Sequence, residues 1–172
     1  MKSGFTLIEL LVVMVIMGIL ASIGLGSFQS SQVKARDVKR KSELNQITKA
    51  LEVYYNDHHT YPLGSGDGRI MGCANATVCT WGESWQDEND TLYMITLPTD
   101  PKGTNQYQYF STDGRSYQIY TRLENTLDVD ISKDGDNNPQ VFLGMDCGAA
   151  ECNYGVSSTN TSPAEGRTLG AE

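Results

Sequence analysis

Residues 4–20, GFTLIELLVVMVIMGIL, are suited to an apolar environment and yet carry an acid. Glu9 is the only ionisable residue between positions 5 and 28. As a helix these residues would be about 36 Å long, enough for the apolar core of a bilayer. The pattern predicts a transmembrane helix at residues 5–28. A carboxylate at a bilayer centre costs roughly 2.5–3.5 kcal/mol, so Glu9 needs a reason to be there.

Two other interpretations of this stretch stay open. A secretory signal peptide would be cut after Gly26, because Gly24-Leu25-Gly26 has the small-residue spacing of a cleavage site. Its weak points are a single basic residue, Lys2, ahead of the apolar run and an acid within it. A plain membrane anchor explains the apolar run but gives Glu9 no role.

Length and charge limit what the rest of the chain does. The 172 residues allow one domain and an appendage. With 21 acidic and 13 basic residues the net charge is −8, which argues against nucleic acid as the main partner. Residues 29–59 contain six Lys or Arg and four Asp or Glu, whereas residues after position 60 contain six and sixteen. The two parts are expected to have different tasks.

The helix is predicted to continue to His58, since residues 32–58 contain no Pro or Gly. Residues 29–60 would form its amphipathic half and lay an apolar stripe on a globular head. The stripe consists of Val33, Leu44, Ile47, Leu51, Tyr54 and Tyr55. The charged cluster at residues 34–41 is interpreted as a solvated helix face, or as a contact for lipid head groups or for the acidic heads of neighbouring subunits.

The head is predicted at residues 61–156. It starts with a long loop at residues 63–90, followed by an antiparallel hairpin whose strands, residues 107–111 and 116–123, flank an Asp-Gly turn. A third strand is expected at residues 140–143. The small, polar residues 157–172 are expected to form a flexible tail.

Four cysteines indicate the compartment of the head. The basic cluster after the apolar run would place the head in the cytoplasm by charge counting. The cysteines lack zinc spacing and favour two disulfides in an oxidising compartment, which we give more weight. Three pairings are possible; the two local ones close most easily and are preferred. They join Cys73 to Cys79 and Cys147 to Cys152.

The segment Lys2-Ser3-Gly4-Phe5-Thr6-Leu7-Ile8-Glu9 resembles the processing site of type IV pilins and type II secretion pseudopilins. The resemblance implies that residues 1–4 are a leader, cut after Gly4 by a prepilin peptidase, and that Phe5 is then N-methylated. It also implies that Glu9 faces the charged amine of Phe5 in a neighbouring subunit during assembly. A paired carboxylate is tolerated in an apolar medium, so this pairing would set the stagger between subunits.

The same resemblance implies a pilin-like α+β fold, in which a long N-terminal helix, half transmembrane and half amphipathic, packs on a small antiparallel sheet. The expected partners are further copies of the chain in a helical homopolymer, the prepilin peptidase, an inner-membrane assembly platform and, before assembly, membrane lipid. No specific nucleic acid is expected. The chain would sit in a bacterial inner membrane with its head outside the cytoplasm, and then in a periplasmic pseudopilus or an extracellular pilus.

A second resemblance, to the sheet region of the major pseudopilin, covers residues 97–103 and the two hairpin strands. That family binds calcium in an Asp-rich loop after corresponding strands. Here the loop has five oxygen-bearing side chains, of the kind that calcium selects. They belong to Asp128, Asp130, Asp134, Asp136 and Asn138. Pro139 and the lack of a later Glu break the EF-hand pattern, and a solvated turn remains the alternative.

No sequence motif for catalysis is present: the chain lacks a GxSxG elbow, a phosphate-binding Gly loop and an HExxH helix. His58 and His59 are interpreted as partners of the helix dipole. The function predicted is that of a non-enzymatic structural subunit of a type IV pilus or type II secretion pseudopilus, with calcium as the one possible cofactor. The alternatives are a minor subunit whose head binds a surface or a secreted partner, and a membrane-anchored enzyme.

Overall fold

A computed structural model describes residues 4–74 and 77–171, and residues 23–27 by their backbone alone. Met1 to Ser3 of the predicted leader lie outside the described residues, as do two residues of the predicted head loop and the last residue of the predicted tail. The chain divides into two compact units, Met1–Ala35 and Arg36–Glu172.

Helix α1 comprises Leu7–His58, close to the predicted range of 5–58. It starts at Leu7 because Thr6 caps it. It ends at His58 because His59 has a φ of 57°, in the left-handed region that commonly ends helices. The His59 N–H still donates to the Tyr55 carbonyl at 2.7 Å. Local sequence signals thus set both ends of the helix.

The first unit is helical from Leu7 onward, and its described side chains are almost all exposed. Within residues 4–74 and 77–171, no helix combines the length and the apolarity that crossing a membrane requires. The span at residues 5–28 stays a prediction.

The described residues of the second unit form nine short strands, all in antiparallel pairs. Three strands form a sheet with the order β5-β6-β8, here called the central sheet, and the others form three two-stranded sheets. The strands are β1 (Met71–Cys73), β2 (Thr77–Val78), β3 (Trp85–Gln86), β4 (Leu92–Met94), β5 (Gln108–Phe110), β6 (Gln118–Thr121), β7 (Gln140–Phe142), β8 (Tyr154–Ser157) and β9 (Leu169–Ala171).

The predicted hairpin is confirmed by the pairing of β5 with β6, in which Tyr109 lies opposite Ile119. Its connection needs a glycine. Gly114 has a φ of 72°, and a Cβ there would lie 3.0 Å from the carbonyl oxygen of Tyr61. That close approach lets the Tyr61 N–H donate to the Gly114 carbonyl at 2.7 Å, which ties the hairpin turn to the start of the head.

The third predicted strand exists as β7, but it pairs with β9. The strand that pairs with β6 of the hairpin is β8. The described residues 157–171 therefore differ from the predicted flexible tail. Ser157 belongs to β8, and β9 closes the β7 sheet. Contacts distant in sequence order this segment: the Arg167 guanidinium lies 4.4 Å from the centroid of the Phe110 ring and donates to the Gln118 side chain.

The core forms where α1 packs on the central sheet. Leu44, Ile47 and Leu51 of the predicted stripe are fully buried there, with Tyr54 packed at the margin. Tyr55 is 40% exposed. The sheet contributes Tyr109 and Ile119, and Tyr117 lies just before β6; all three are buried. The fold is α+β, with a long N-terminal helix packed on small antiparallel sheets, as predicted.

Candidate functional site

The predicted processing site is accessible. Phe5 is 86% exposed, and a Cβ built on Gly4 would meet no heavy atom within 4 Å. Packing within the described residues therefore does not require glycine at position 4.

Thr6 and Glu9 form a capping box at the start of α1. The backbone N–H and the hydroxyl of Thr6 both donate to Oε2 of Glu9, at 2.9 and 2.7 Å. In return the N–H of Glu9 lies 3.4 Å from the Thr6 hydroxyl oxygen. The Thr-x-x-Glu spacing would have revealed this local role in the sequence. Among the described residues, no donor contacts Oε1 of Glu9, so half of the carboxylate stays available.

The apolar side chains that follow are not covered within their own unit. From Phe5 to Leu20, every large apolar side chain is between 47% and 86% exposed. Such a long exposed apolar surface marks a site of association, because burial stabilises by about 25 cal/mol for each Å² removed from water.

The basic cluster at residues 34–41 is only partly the solvated face that was predicted: Lys34 and Lys39 are exposed, but Arg40 is not. Arg40 is fully buried and donates to three carboxylates. Two parallel bonds of 2.7 and 2.9 Å join it to Asp100, and bonds of 2.7 and 2.8 Å join it to Asp37 and Glu124. A buried charge is tolerated only when it is paired, so this network anchors α1 to the head.

Arg36 extends the network at the surface. Its guanidinium donates to both oxygens of Glu124, at 2.6 and 2.8 Å. These bonds and those from Arg40 lower the pKa of Glu124 to about 2, although partial burial favours the neutral carboxyl. Asp37 accepts the backbone N–H of Glu124 and of Asn125, which fixes the start of the acidic loop. The sequence shows the basic residues but not their distant partners: Asp100 lies 60 positions from Arg40, and Glu124 lies 84 to 88 positions from the two arginines.

Both predicted disulfides are present. Cys73–Cys79 has a Cα separation of 5.2 Å, and Cys147–Cys152 has one of 5.1 Å. The first joins β1 to the residue after β2, and the second closes the connection between β7 and β8. These bonds fit the oxidising compartment that cysteine spacing predicted.

His58 takes part in a network that its sequence position did not predict. Its Nε2 lies 3.1 Å from both the Asp87 carboxylate and the Tyr93 hydroxyl. Burial opposes ionisation of Asp87, but the backbone N–H groups of Thr91 and Asn89, with His58 and Tyr93, lower its pKa to about 2. A cavity of about 290 Å³ lies beside this network. The network joins the end of α1 to the β3-β4 loop.

The predicted calcium ligands are not brought together. Asp128 and Asp130 both contact the ammonium of Lys41. Asp134 and Asn138 instead bond to each other within a separate turn. In the part of the chain that the structure describes, no three His, Cys, Asp or Glu side chains are placed to hold a metal ion. The residues present do not fit the ligand set that the resemblance implied.

Residues 1–25 match the prokaryotic N-terminal methylation motif. The chain is 31% identical over 138 residues to the type II secretion system core protein G of Pseudomonas aeruginosa, covering 80% of this chain and 90% of that protein. It is 36% identical over 110 residues to the core protein G of Aeromonas hydrophila, covering 64% of this chain and 73% of the relative.

The core protein G of Klebsiella michiganensis is 42% identical over 110 residues, with 64% of this chain and 74% of that protein aligned. No solved structure matches the chain significantly. The methylation motif, the helix and sheet arrangement and these alignments agree. The chain therefore belongs to the family of the type II secretion system core protein G, the major pseudopilins.

Proposed function

We propose that this chain is a non-enzymatic pseudopilus subunit that polymerises through its N-terminal helix after cleavage between Gly4 and Phe5 and N-methylation of Phe5. Before assembly it is held in the inner membrane by residues 5–28, and the pseudopilus then extends into the periplasm. The observation that carries the proposal is the accessible processing site followed by apolar side chains that are exposed from Phe5 to Leu20. Its partners are the prepilin peptidase, an inner-membrane assembly platform and further copies of itself.

Glu9 has two roles in this proposal. In the free subunit Oε2 completes the capping box. In the assembly the carboxylate pairs with the methylated amine of Phe5 in the next subunit. An ammonium and a carboxylate among apolar side chains attract strongly when they are aligned, and either is costly when left alone. The pairing thus favours one stagger between neighbouring helices.

The test of processing is the mass of the N-terminal peptide. The full chain would be co-expressed with its prepilin peptidase, recovered from membranes and digested. We expect a mature protein that starts at N-methylated Phe5. Gly4→Ala should slow cleavage and Gly4→Leu should stop it, whereas Gly103→Leu, at another position with free space for a Cβ, should leave cleavage intact. A mature chain that starts at Ser27 would overturn the proposal.

The test of assembly separates the two roles of Glu9. Glu9→Gln keeps a capping-box residue but removes the charge, whereas Thr6→Val removes the capping hydroxyl and keeps the charge. In a cell that overproduces the secretion system, sheared fibres should fall at least about tenfold with Glu9→Gln and change little with Thr6→Val. The reverse order would show that the acid acts as a helix cap alone.

A further inference from the structure

The acidic loop at residues 125–139 is held by a lysine of α1. The ammonium of Lys41 lies 2.6 Å from Oδ1 of Asp128 and 2.6 Å from Oδ2 of Asp130. It also lies 5.5 Å from the centroid of the Tyr154 ring, within the range of a cation–π contact. The side chains of Lys41 and Asp128 are only 21% and 18% exposed. Two carboxylates that would repel each other thus share one cation from the protein itself.

The remaining predicted ligands are satisfied in a different way. Asp134 accepts the backbone N–H of Asp136 and of Asn138, at 2.9 and 2.8 Å, and the Asn138 side-chain amide at 3.0 Å. Asn137 has a φ of 66°, which an Asn tolerates in such a turn. This turn therefore holds its shape through its own hydrogen bonds.

A divalent cation placed between Asp128 and Asp130 would compete with the ammonium for the same oxygens and would be repelled by it. Hydrogen bonds from Lys41 also keep the pKa of Asp128 lowered against the effect of its burial. The ammonium of Lys41 thus already compensates charge on these two acids, which weakens their net attraction for a calcium ion.

We propose that the ammonium of Lys41 joins the acidic loop to α1 in the place where the family resemblance implied a calcium ion, so that the order of this loop does not depend on calcium. The inference concerns the head alone and holds whether or not the chain polymerises as proposed above.

The experiment is hydrogen exchange of the full chain in detergent micelles, in excess calcium chloride and in a chelator at matched ionic strength. Wild-type amides of residues 125–132 should exchange at the same rates in both solutions. Lys41→Met should speed their exchange at least about fivefold in both, because it removes the shared cation. Lys39→Met is the matched control, because Lys39 lies on the same helix and its side chain is 60% exposed. This variant should not change the exchange rates.

A second pair of variants covers the case in which Lys41→Met does not fold. Asp130 is 52% exposed, so Asp130→Asn should leave the head folded and still loosen residues 125–132. Asp136→Asn removes a predicted calcium ligand that does not contact Lys41 and should have no effect there. Wild-type protection seen only in calcium, or equal loosening by Asp130→Asn and Asp136→Asn in calcium, would overturn the proposal.

Discussion

Single residues of α1 decide how the helix and the head are joined. Arg40 is fully buried, although arginine is almost never found there without partners. Its planar guanidinium fits Asp100 with two parallel bonds and still reaches Asp37 and Glu124. Three carboxylates around one cation leave net negative charge in the site, which Arg36 and Lys102 reduce through Glu124.

Replacing Arg40 should therefore be severe. We expect Arg40→Met to lower the free energy of unfolding by roughly 3–5 kcal/mol, because it leaves buried carboxylates without a partner. Urea titration followed by the fluorescence of Trp81 and Trp85, both in the head, measures this. Lys39→Met, at an exposed neighbouring position, should cost less than about 0.5 kcal/mol. Similar losses for the two variants would show that the buried network adds little stability.

At the level of secondary structure, a short disulfide-closed loop forms part of the connection between β7 and β8. Cys147 and Cys152 are both fully buried, and their backbones bond to neighbouring segments. The Cys147 carbonyl accepts the N–H of Gln106, and the Cys152 carbonyl accepts the N–H of Phe142. This loop thus links the β7-β9 pair to the strand that completes the central sheet.

Removing this disulfide should cost about 2 kcal/mol from loop closure alone. The double variant Cys147→Ala with Cys152→Ala tests this by urea unfolding under oxidising conditions. The matching variant at Cys73 and Cys79 should lose a similar amount, because the sequence separations are 5 and 6. If the two double variants unfold like the wild type, the disulfides are dispensable for stability.

For the whole molecule, acid stability depends on carboxylates whose pKa is lowered in the folded state. Hydrogen bonds from Arg36 and Arg40 lower the pKa of Glu124 from 4.5 to about 2. A lowered folded-state pKa contributes stability that is fully present above the unfolded value and is lost as the pH falls towards the folded value. The pKa of Asp87 is also lowered, so this residue contributes to acid stability in the same direction.

The free energy of unfolding should accordingly be nearly constant from about pH 7 to pH 5 and fall between pH 4.5 and pH 2. The shift of Glu124 accounts for roughly 3 kcal/mol of that fall. Unfolding in urea at a series of pH values measures the slope. Glu124→Gln should flatten it, whereas Asp113→Asn, at an exposed turn, should not. Equal slopes for both variants would contradict this account.

Much of the fold follows from local patterns. Helix length, the buried stripe of Leu44, Ile47 and Leu51 and the hairpin around Gly114 all rest on periodicity or turn residues within a short window. The disulfides rest on short loop closure. The processing motif at Gly4 and Phe5 lies within a few consecutive residues. The transmembrane span predicted at residues 5–28 rests on composition and stays a prediction.

The helix, the hairpin, the preferred disulfide pairs and the family were thus predictable, because each depends on neighbours along the chain. The partners of the basic cluster and the strand that closes the head depend instead on tertiary packing. Lys41 and Arg40 meet carboxylates 60 to 89 positions away. Strand β9 pairs with β7, although β8 lies between them in the sequence. Local patterns cannot specify such pairs, since the charges and polar residues involved are also those of solvated faces and tails. Which charged groups pair depends on the packing of α1 on the sheet, because this packing brings them within hydrogen-bonding distance.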